Sequence, residues 1–466
     1  MLFTVDIGTS ALKSALWDYN GNRVSFASLP LTNTFEDSKH ETEPSNWLRA
    51  FETCCKMIDN PSIVDAIIIS GNGPSLVPVT GEPSFNSGLC VPACNARLWM
   101  DARAAEYQTQ VSELMGGYVD ASFFLPKILK IKNEEKQLYD KTKYFLGCPE
   151  YLSYALTGNV HSLFPSDGFD RWFWNDEVLL KLKLDADKLP PFIRPGEQFG
   201  KILPKAARYL GFKENIPVIS GGPDFFAAII GCAVVEAGQV CDRTGSSEGI
   251  NLCTQSRIID PRLMSYGHPI KPYWNLSGII NTTGKAIEWG CNLLGVTFDK
   301  FIELACQSES GSGGLVFIPY LAGERAPVWD PSVRAVLQGI GLSAGRSEFA
   351  NSLLEGIGFA IRNILTVMEE AGGNPAQMRV TGRLAGCERL NQIKADITGK
   401  EIAEQKQKEA ELLGLAIIGS VSLGKYSSFK EAAGVMVKID KIYKPNCKNK
   451  GIYDKLFQKY ITTEVK

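Results

Sequence analysis

The chain has 466 residues, 44% of them hydrophobic and 21% charged, a composition that suits two sizeable globular domains and excludes an intrinsically disordered chain. With 49 basic against 51 acidic residues and a formal net charge of -2, it lacks the basic footprint that nucleic acid or an anionic membrane requires, so a small-molecule partner is expected. Its twelve cysteines include the adjacent pair Cys54-Cys55 but no CxxC pair, which argues against a disulfide framework or a zinc site and for reduced thiols.

The opening MLFTVDIGTS has no basic stretch followed by an apolar core, and the apolar run 225–235 is too short to span a bilayer, so a cytoplasmic location is expected. Leu2–Ile7 is an apolar run ending at an acidic residue and a Gly-Thr-Ser turn, and Ala11–Trp17 is a second run, which together predict a hairpin. Asn20-Gly21 supplies the turn into a third strand over 24–29. Trp47, Phe51, Cys54, Cys55 and Ile58 recur at helical spacing, and the β-branched run 64–69 predicts a buried strand. Near the middle, Cys241-Asp242-Arg243-Thr244-Gly245-Ser246-Ser247 repeats the acidic residue followed by a Gly/Thr/Ser turn, so two similar lobes are expected, 1–236 and 237–466, with the boundary near Ala237-Gly238. Residues 225–235 are predicted helical. Phe349, Leu353, Ile357, Ala360, Ile361 and Ile364 mark one apolar helical face, with Glu355 and Arg362 off it. Ala410–Ser422 is a small-residue helix, and Tyr453, Phe457 and Tyr460 give the tail a helical face.

Backbone N–H groups and hydroxyls hold phosphate oxygens well, and both Gly8-Thr9-Ser10 and Gly245-Ser246-Ser247 offer them. Either turn alone is more often an ordinary tight turn; the pairing is what points to phosphate. Lys13 follows the first turn within reach of a phosphate. Gly284-Lys285 is no Walker A end, because Ala286 stands where Ser or Thr binds magnesium, and Gly71-Asn72-Gly73 lacks the third glycine of a dinucleotide fingerprint. His40, His161 and His268 are the only histidines and fall in neither a nucleophile-elbow nor a metal-ligand spacing. Asp224, in Ser220-Gly221-Gly222-Pro223-Asp224, stands between an apolar strand and the next helix. A carboxylate there caps the helix, and a capping aspartate in a cleft can also take a proton from a substrate hydroxyl. Asp6 ends the first strand and is the natural partner of a hydrated magnesium ion.

In order along nearly the whole chain, these pieces resemble the FGGY family of carbohydrate kinases, with xylulokinase-like members nearest in pattern. Asp6-Ile7-Gly8-Thr9-Ser10 with Lys13 resembles the first phosphate motif, and 41–47 the acidic-Pro-Trp segment. Leu98-Trp99-Met100-Asp101-Ala102-Arg103 resembles the sugar-side motif, Gly221 to Asp224 the catalytic-base motif, and Thr244-Gly245-Ser246-Ser247 the second phosphate motif. Asn281-Thr282-Thr283-Gly284 with Trp289 resembles the adenosine segment, and FIPYLAGERAPVWD (317–330) the family's signature stretch.

The resemblance implies an α/β fold of two ribonuclease-H-like lobes of the actin and hexokinase type with a cleft between them. It implies transfer of phosphate from ATP, with Mg2+, to a small sugar or polyol, Asp224 acting as base and Asp6 and Asp224 serving the metal. Gly8, Thr9, Ser10, Lys13, Thr244, Gly245, Ser246, Gly284, Gly382 and Arg383 are the implied nucleotide residues. Asn72, Gly73, Pro74, Trp99, Asp101 and Arg103 are the implied sugar residues. A homodimer is left open. Three departures stand out: Gly73-Pro74 replaces a Met-His pair, Phe225 stands where relatives often carry an amide, and Arg383-Leu384-Ala385 follows Thr381-Gly382 in place of a glycine run. The first two remove polar groups and predict that D-xylulose is a poor substrate. The third supports an alternative, a sugar- or nucleotide-binding regulator of the same fold that has lost turnover.

Overall fold

In the computed structural model, which describes residues 1–81 and 92–465, the chain forms two compact units. The first comprises Met1–Gly231 and Glu411–Met436, the second Cys232–Ala410 and Val437–Lys466. The division into 1–236 and 237–466 is therefore corrected: a late segment returns to the first unit. Small residues are the reason. A Cβ added to Gly414 would lie 1.8 Å from the carbonyl oxygen of Ala227, and one added to Gly419 would lie 2.7 Å from Ile68. Helix Ala410–Ser422 can thus lie directly against the first unit's core, where a larger residue would be excluded.

The first unit is built on β1 (Leu2–Ile7), β2 (Ala11–Trp17), β3 (Arg23–Pro30), β4 (Ala66–Gly71), β5 (Gln198–Lys201) and β6 (Pro217–Pro223), in the order β5-β6-β4-β1-β2-β3. β1, β2 and β3 form the predicted meander, and the Asp18 carboxylate accepts the amides of Asn20 and Asn22 at 2.8 Å each in the turn. β1 pairs parallel with β4, and β4 parallel with β6. Helix α1 (Ser45–Lys56) buries Trp47, Phe51, Cys54 and Cys55, as its spacing predicts. α2 (Phe124–Glu134), α3 (Cys148–Thr157) and α4 (Asp224–Gly231) complete the frame used below. α4 is shorter than the apolar run 225–235, because Ala233 takes a left-handed φ of 55° that a helix cannot hold.

The second unit repeats the scheme with β7 (Gln239–Thr244), β8 (Glu248–Thr254), β9 (Met264–Gly267), β10 (Trp274–Ile280), β11 (Gln377–Gly382), β12 (Glu401–Gln405) and β13 (Ile439–Tyr443), in the order β9-β10-β8-β7-β11-β12-β13. Again an antiparallel meander, β7-β8-β10, leads to parallel pairs β7-β11 and β11-β12. The two expected lobes are thus the same mixed α/β unit. α5 (Gly284–Leu294), α6 (Arg346–Glu370), α7 (Glu388–Thr398) and α8 (Lys450–Thr462) belong to it, and α8 buries Tyr453, Phe457 and Tyr460 as predicted. Glu355, expected off the apolar face of α6, is instead fully buried. It accepts the Gly311 amide and the Ser312 hydroxyl at 2.7 Å each and the Tyr453 hydroxyl at 2.9 Å, which satisfies its carboxylate inside the core. Among the described residues no helix is long and apolar enough to cross a membrane.

Candidate active site

In the first unit, Asp6, Asn72 and Asp224 lie at the carboxyl ends of the three adjacent parallel strands β1, β4 and β6, with Ile7 opposite Gly71 and Gly71 opposite Pro223. Open parallel sheets bind ligands beyond such strand ends. The glycines before Asp224 are a packing requirement. A Cβ on Gly221 would meet Leu415 at 2.1 Å and the Ile69 carbonyl oxygen at 2.9 Å, and Gly222 has φ +77°. The Ser70 hydroxyl donates to Asp6 at 2.7 Å, and Asp224, half-buried, accepts the Phe225 amide at 2.7 Å. Asp224 thus does serve the helix start, and Phe225 packs edge-on against Phe226 with centroids 4.6 Å apart. The Cys148 thiol donates to the Asn72 carbonyl at 3.5 Å and is pushed well above the usual range by burial and then by the fields of Glu150, Asp6 and Asp224.

The turn joining β1 to β2 is closed by Gly8 N–H donating to Ala11 at 3.0 Å and leaves Ser10 exposed. Lys13 sits opposite Asp6 in the hairpin register. The indole of Trp99 donates to the Thr9 hydroxyl at 2.9 Å, so the phosphate-type turn and the sugar-type motif touch. The Ser75 hydroxyl donates to Asn72 Oδ1 at 2.6 Å and accepts the Trp99 amide at 3.1 Å, while Gly73 is exposed and Trp99 is 41% exposed.

Asp101 behaves otherwise than expected of a sugar ligand. It is fully buried; its carboxylate accepts the His40 amide at 2.9 Å and Arg103 Nε at 3.0 Å, and Arg103 reaches on to Glu41 at 2.7 Å. A carboxylate so committed shapes the loop and orients Arg103. Sequence reasoning missed Lys127, which is fully buried in α2 and donates to the carbonyls of Pro74 at 2.9 Å and Leu98 at 2.7 Å. Burial pulls its ammonium down to about 7.

In the second unit the turn between β7 and β8 is closed by Gly245 N–H donating to Ser247 at 2.8 Å. The start of α5 docks on it: Thr283 N–H donates to Ser246 at 3.0 Å and Gly284 N–H to Gly245 at 3.0 Å. Bare backbone is required here. A Cβ on Gly284 would stand 2.4 Å from the Gly245 oxygen, and one on Gly382, at φ +88°, 2.0 Å from that of Thr244. Such a side-chain-free cradle fits a phosphate chain. Ser246 and Arg383 are exposed beside it, and Arg383 N–H donates to Thr244 at 3.0 Å.

The Thr244 hydroxyl is not offered to a phosphate as expected: it donates to Thr381 at 2.8 Å, accepts the Leu384 amide at 3.2 Å and holds β7 to the β11 exit. Also unforeseen is the fully buried Lys394, paired with both Asp242 and Glu248, one on each strand of the hairpin. Burial, then Glu248, raises Asp242, whereas Lys394 holds Glu248 down against its burial. Trp289 on α5 stacks on Phe317, with centroids 5.9 Å apart and planes 21° from parallel.

The N-terminal domain of the FGGY family of carbohydrate kinases matches residues 1–231, and its C-terminal domain matches 244–423. The chain belongs to this family. It is a carbohydrate kinase, with ATP the donor the family implies. The xylulose kinase of Staphylococcus epidermidis is 26% identical over 98% of this chain and 95% of its own length, and the gluconokinase of Bacillus subtilis is 25% identical over 91% and 88%. Among solved structures, the ligand-bound xylulose kinase of Lactobacillus acidophilus superposes with a TM-score of 0.85 at 24% identity, covering 99% of this chain and 97% of that one. Plasmodium falciparum glycerol kinase with ADP gives 0.84 at 20% identity over 99% and 97%. Each of the two units therefore has the expected α/β architecture.

Proposed function

We propose that this kinase transfers the terminal phosphate of ATP to a hydroxyl of a small sugar or polyol of the ketopentose class, with Asp224 as general base. The observation that carries the reading is the placement of Asp6, Asn72 and Asp224 side by side at three parallel strand ends. Asp224 takes the acceptor's hydroxyl proton as the oxygen bonds to phosphorus, and the bond from that phosphorus to the bridging oxygen breaks to release ADP. The protein's task is alignment and charge neutralisation. Gly8, Ser10 and Lys13 serve the phosphates from the first unit. Within the second unit, Gly245, Ser246, Gly284 and Gly382 offer backbone and hydroxyl groups suited to phosphate oxygens, with Arg383 beside them.

Asp6, steadied by Ser70, offers the hard oxygen that a hydrated Mg2+ would take, with Asp224 two strands away on the same sheet edge; the ion, when bound, would neutralise phosphate charge. Asn72 and Trp99 face the acceptor, and Gly73-Pro74 with Phe225 make that side less polar. This favours an acceptor with fewer hydroxyls than D-xylulose. The names of the relatives support the class: xylulose kinases, and also a gluconokinase.

ADP release with D-xylulose, D-ribulose, L-ribulose, glycerol, erythritol, D-gluconate and a deoxy-ketose tests the acceptor class; a clear kcat/KM advantage for D-xylulose would overturn the preference. Asp224→Asn tests the base. ATP binding is expected to persist while turnover falls by about 10²-fold or more, and near-native turnover would remove Asp224 from the role.

A further inference from the structure

Lysine is rarely taken wholly out of water, and a buried ammonium persists only where hydrogen bonds replace its hydration. Lys127 has no solvent-exposed surface, and both of its bonds end on main-chain carbonyls of separate loops: Pro74 in the segment 71–76 and Leu98 in the segment 97–103. These are the loops that carry Asn72 and Trp99. They are tied to each other as well, through the Ser75 hydroxyl between Asn72 and Trp99 and through Leu76 and Arg97, which exchange both backbone bonds at 2.8 and 2.9 Å.

The helix bearing Lys127 is firmly held. Leu125, Ile128, Leu129 and Ile131 of α2 are buried in one apolar cluster with Val111 and Phe145. The carbonyls of Pro74 and Leu98 that face Lys127 need a donor, and its ammonium supplies one to each. An apolar side chain in place of Lys127 would fill the space but leave two carbonyls without their donor.

We propose that Lys127 is a positioning residue that clamps the Asn72 loop and the Trp99 loop together and so fixes the acceptor side of the site. The proposal rests on the reading of Asn72 and Trp99 as acceptor-side residues. A clamp of this kind acts on where the acceptor sits, and displacements of about 1 Å at a reacting group cost on the order of 10²-fold in rate.

The test is steady-state kinetics of Lys127→Met beside Trp99→Ala, using whichever sugar of the panel above gives wild type its highest kcat/KM. For Lys127→Met the acceptor KM is expected to rise about ten-fold or more, with the KM for ATP within about two-fold of wild type. Lys127→Gln, which restores N–H donors, should recover part of the loss. A residue needed only for folding would lower the amount of active enzyme, and hence apparent kcat, and leave the acceptor KM alone; that result overturns the proposal. If Trp99→Ala leaves the acceptor KM unchanged, the acceptor-side reading fails and the clamp fails with it. If Trp99→Ala raises it and Lys127→Met does not, the clamp alone is refuted. Should Lys127→Met not fold, Lys127→Gln carries the comparison; if neither folds, Lys127 is a core determinant and the proposal is overturned.

Discussion

Glu150, in the first turn of α3, is buried, and burial lifts its carboxyl from 4.5 to about 7 against the pull of the Leu163 amide, which it accepts at 2.8 Å. A carboxyl raised on folding holds its proton longer in the native state than in the unfolded one. It therefore costs no stability below pH 4.5, costs progressively more between 4.5 and about 7, and costs its full amount above that. Glu150→Gln keeps an acceptor for Leu163 and removes the charge. The variant should be more stable than wild type at pH 8, by up to roughly 3 kcal/mol, with the gap closing towards pH 4.5; denaturant melts at the two pH values check this, and an equal gap at both would refute it. At this scale the sequence was informative wherever a residue's task is local. Asp6 and Asp224 stand out because a strand end and a Gly-Gly-Pro turn flank them. Lys127 gives no such sign, because its two partners lie 53 and 29 residues away and are main-chain atoms. Asp101 and Thr244 were recognisable as motif members, but their commitments to the His40 amide and to Thr381 are tertiary facts.

Among the elements, the β7-β8 hairpin joins a flexible-looking glycine turn to a rigid base. Lys394 on α7 bridges Asp242 and Glu248 with none of the three side chains exposed. Removing the cation leaves two carboxylates buried side by side, so Lys394→Met is expected to destabilise the protein by about 3–5 kcal/mol, as broken buried ion pairs do. Urea unfolding should show the triple change Lys394→Met, Asp242→Asn, Glu248→Gln to be much milder; equal losses in the two variants would mean that the charges are not coupled. Most elements were readable from apolar period and turn chemistry, as with the β1-β2-β3 meander and α1. β6 runs on to Pro223 through two glycines that in sequence would signal a turn. Gly221 instead continues the strand, because only a missing Cβ lets it lie against Ile69 and Leu415. Glu355 was misplaced for a related reason: helical periodicity cannot foresee that Ser312, Gly311 and Tyr453 converge to satisfy a carboxylate inside the core.

For the molecule as a whole, the repeated acidic-Gly/Thr/Ser motif correctly signalled two lobes of one architecture, but the division of the chain between them is discontinuous. Residues 1–231 alone lack helices Ala410–Ser422 and Phe429–Met436 and leave uncovered the surface on which Gly414 meets Ala227. Joined by a Gly/Ser linker to 411–436, the fragment should melt cooperatively at a higher temperature than 1–231 by itself; calorimetry on both decides it, and identical melting would show the late helices to be dispensable. The same discontinuity bears on synthesis. During translation the strands of the first unit leave the ribosome complete, yet the helices that cover them follow about 200 residues later, a delay on the order of 10–40 s at ordinary elongation rates. Throughout that interval the nascent chain presents an apolar surface around Ile68 and Ala227, which makes it a natural client for chaperones and ties its yield to the speed at which the ribosome reads the middle of the message.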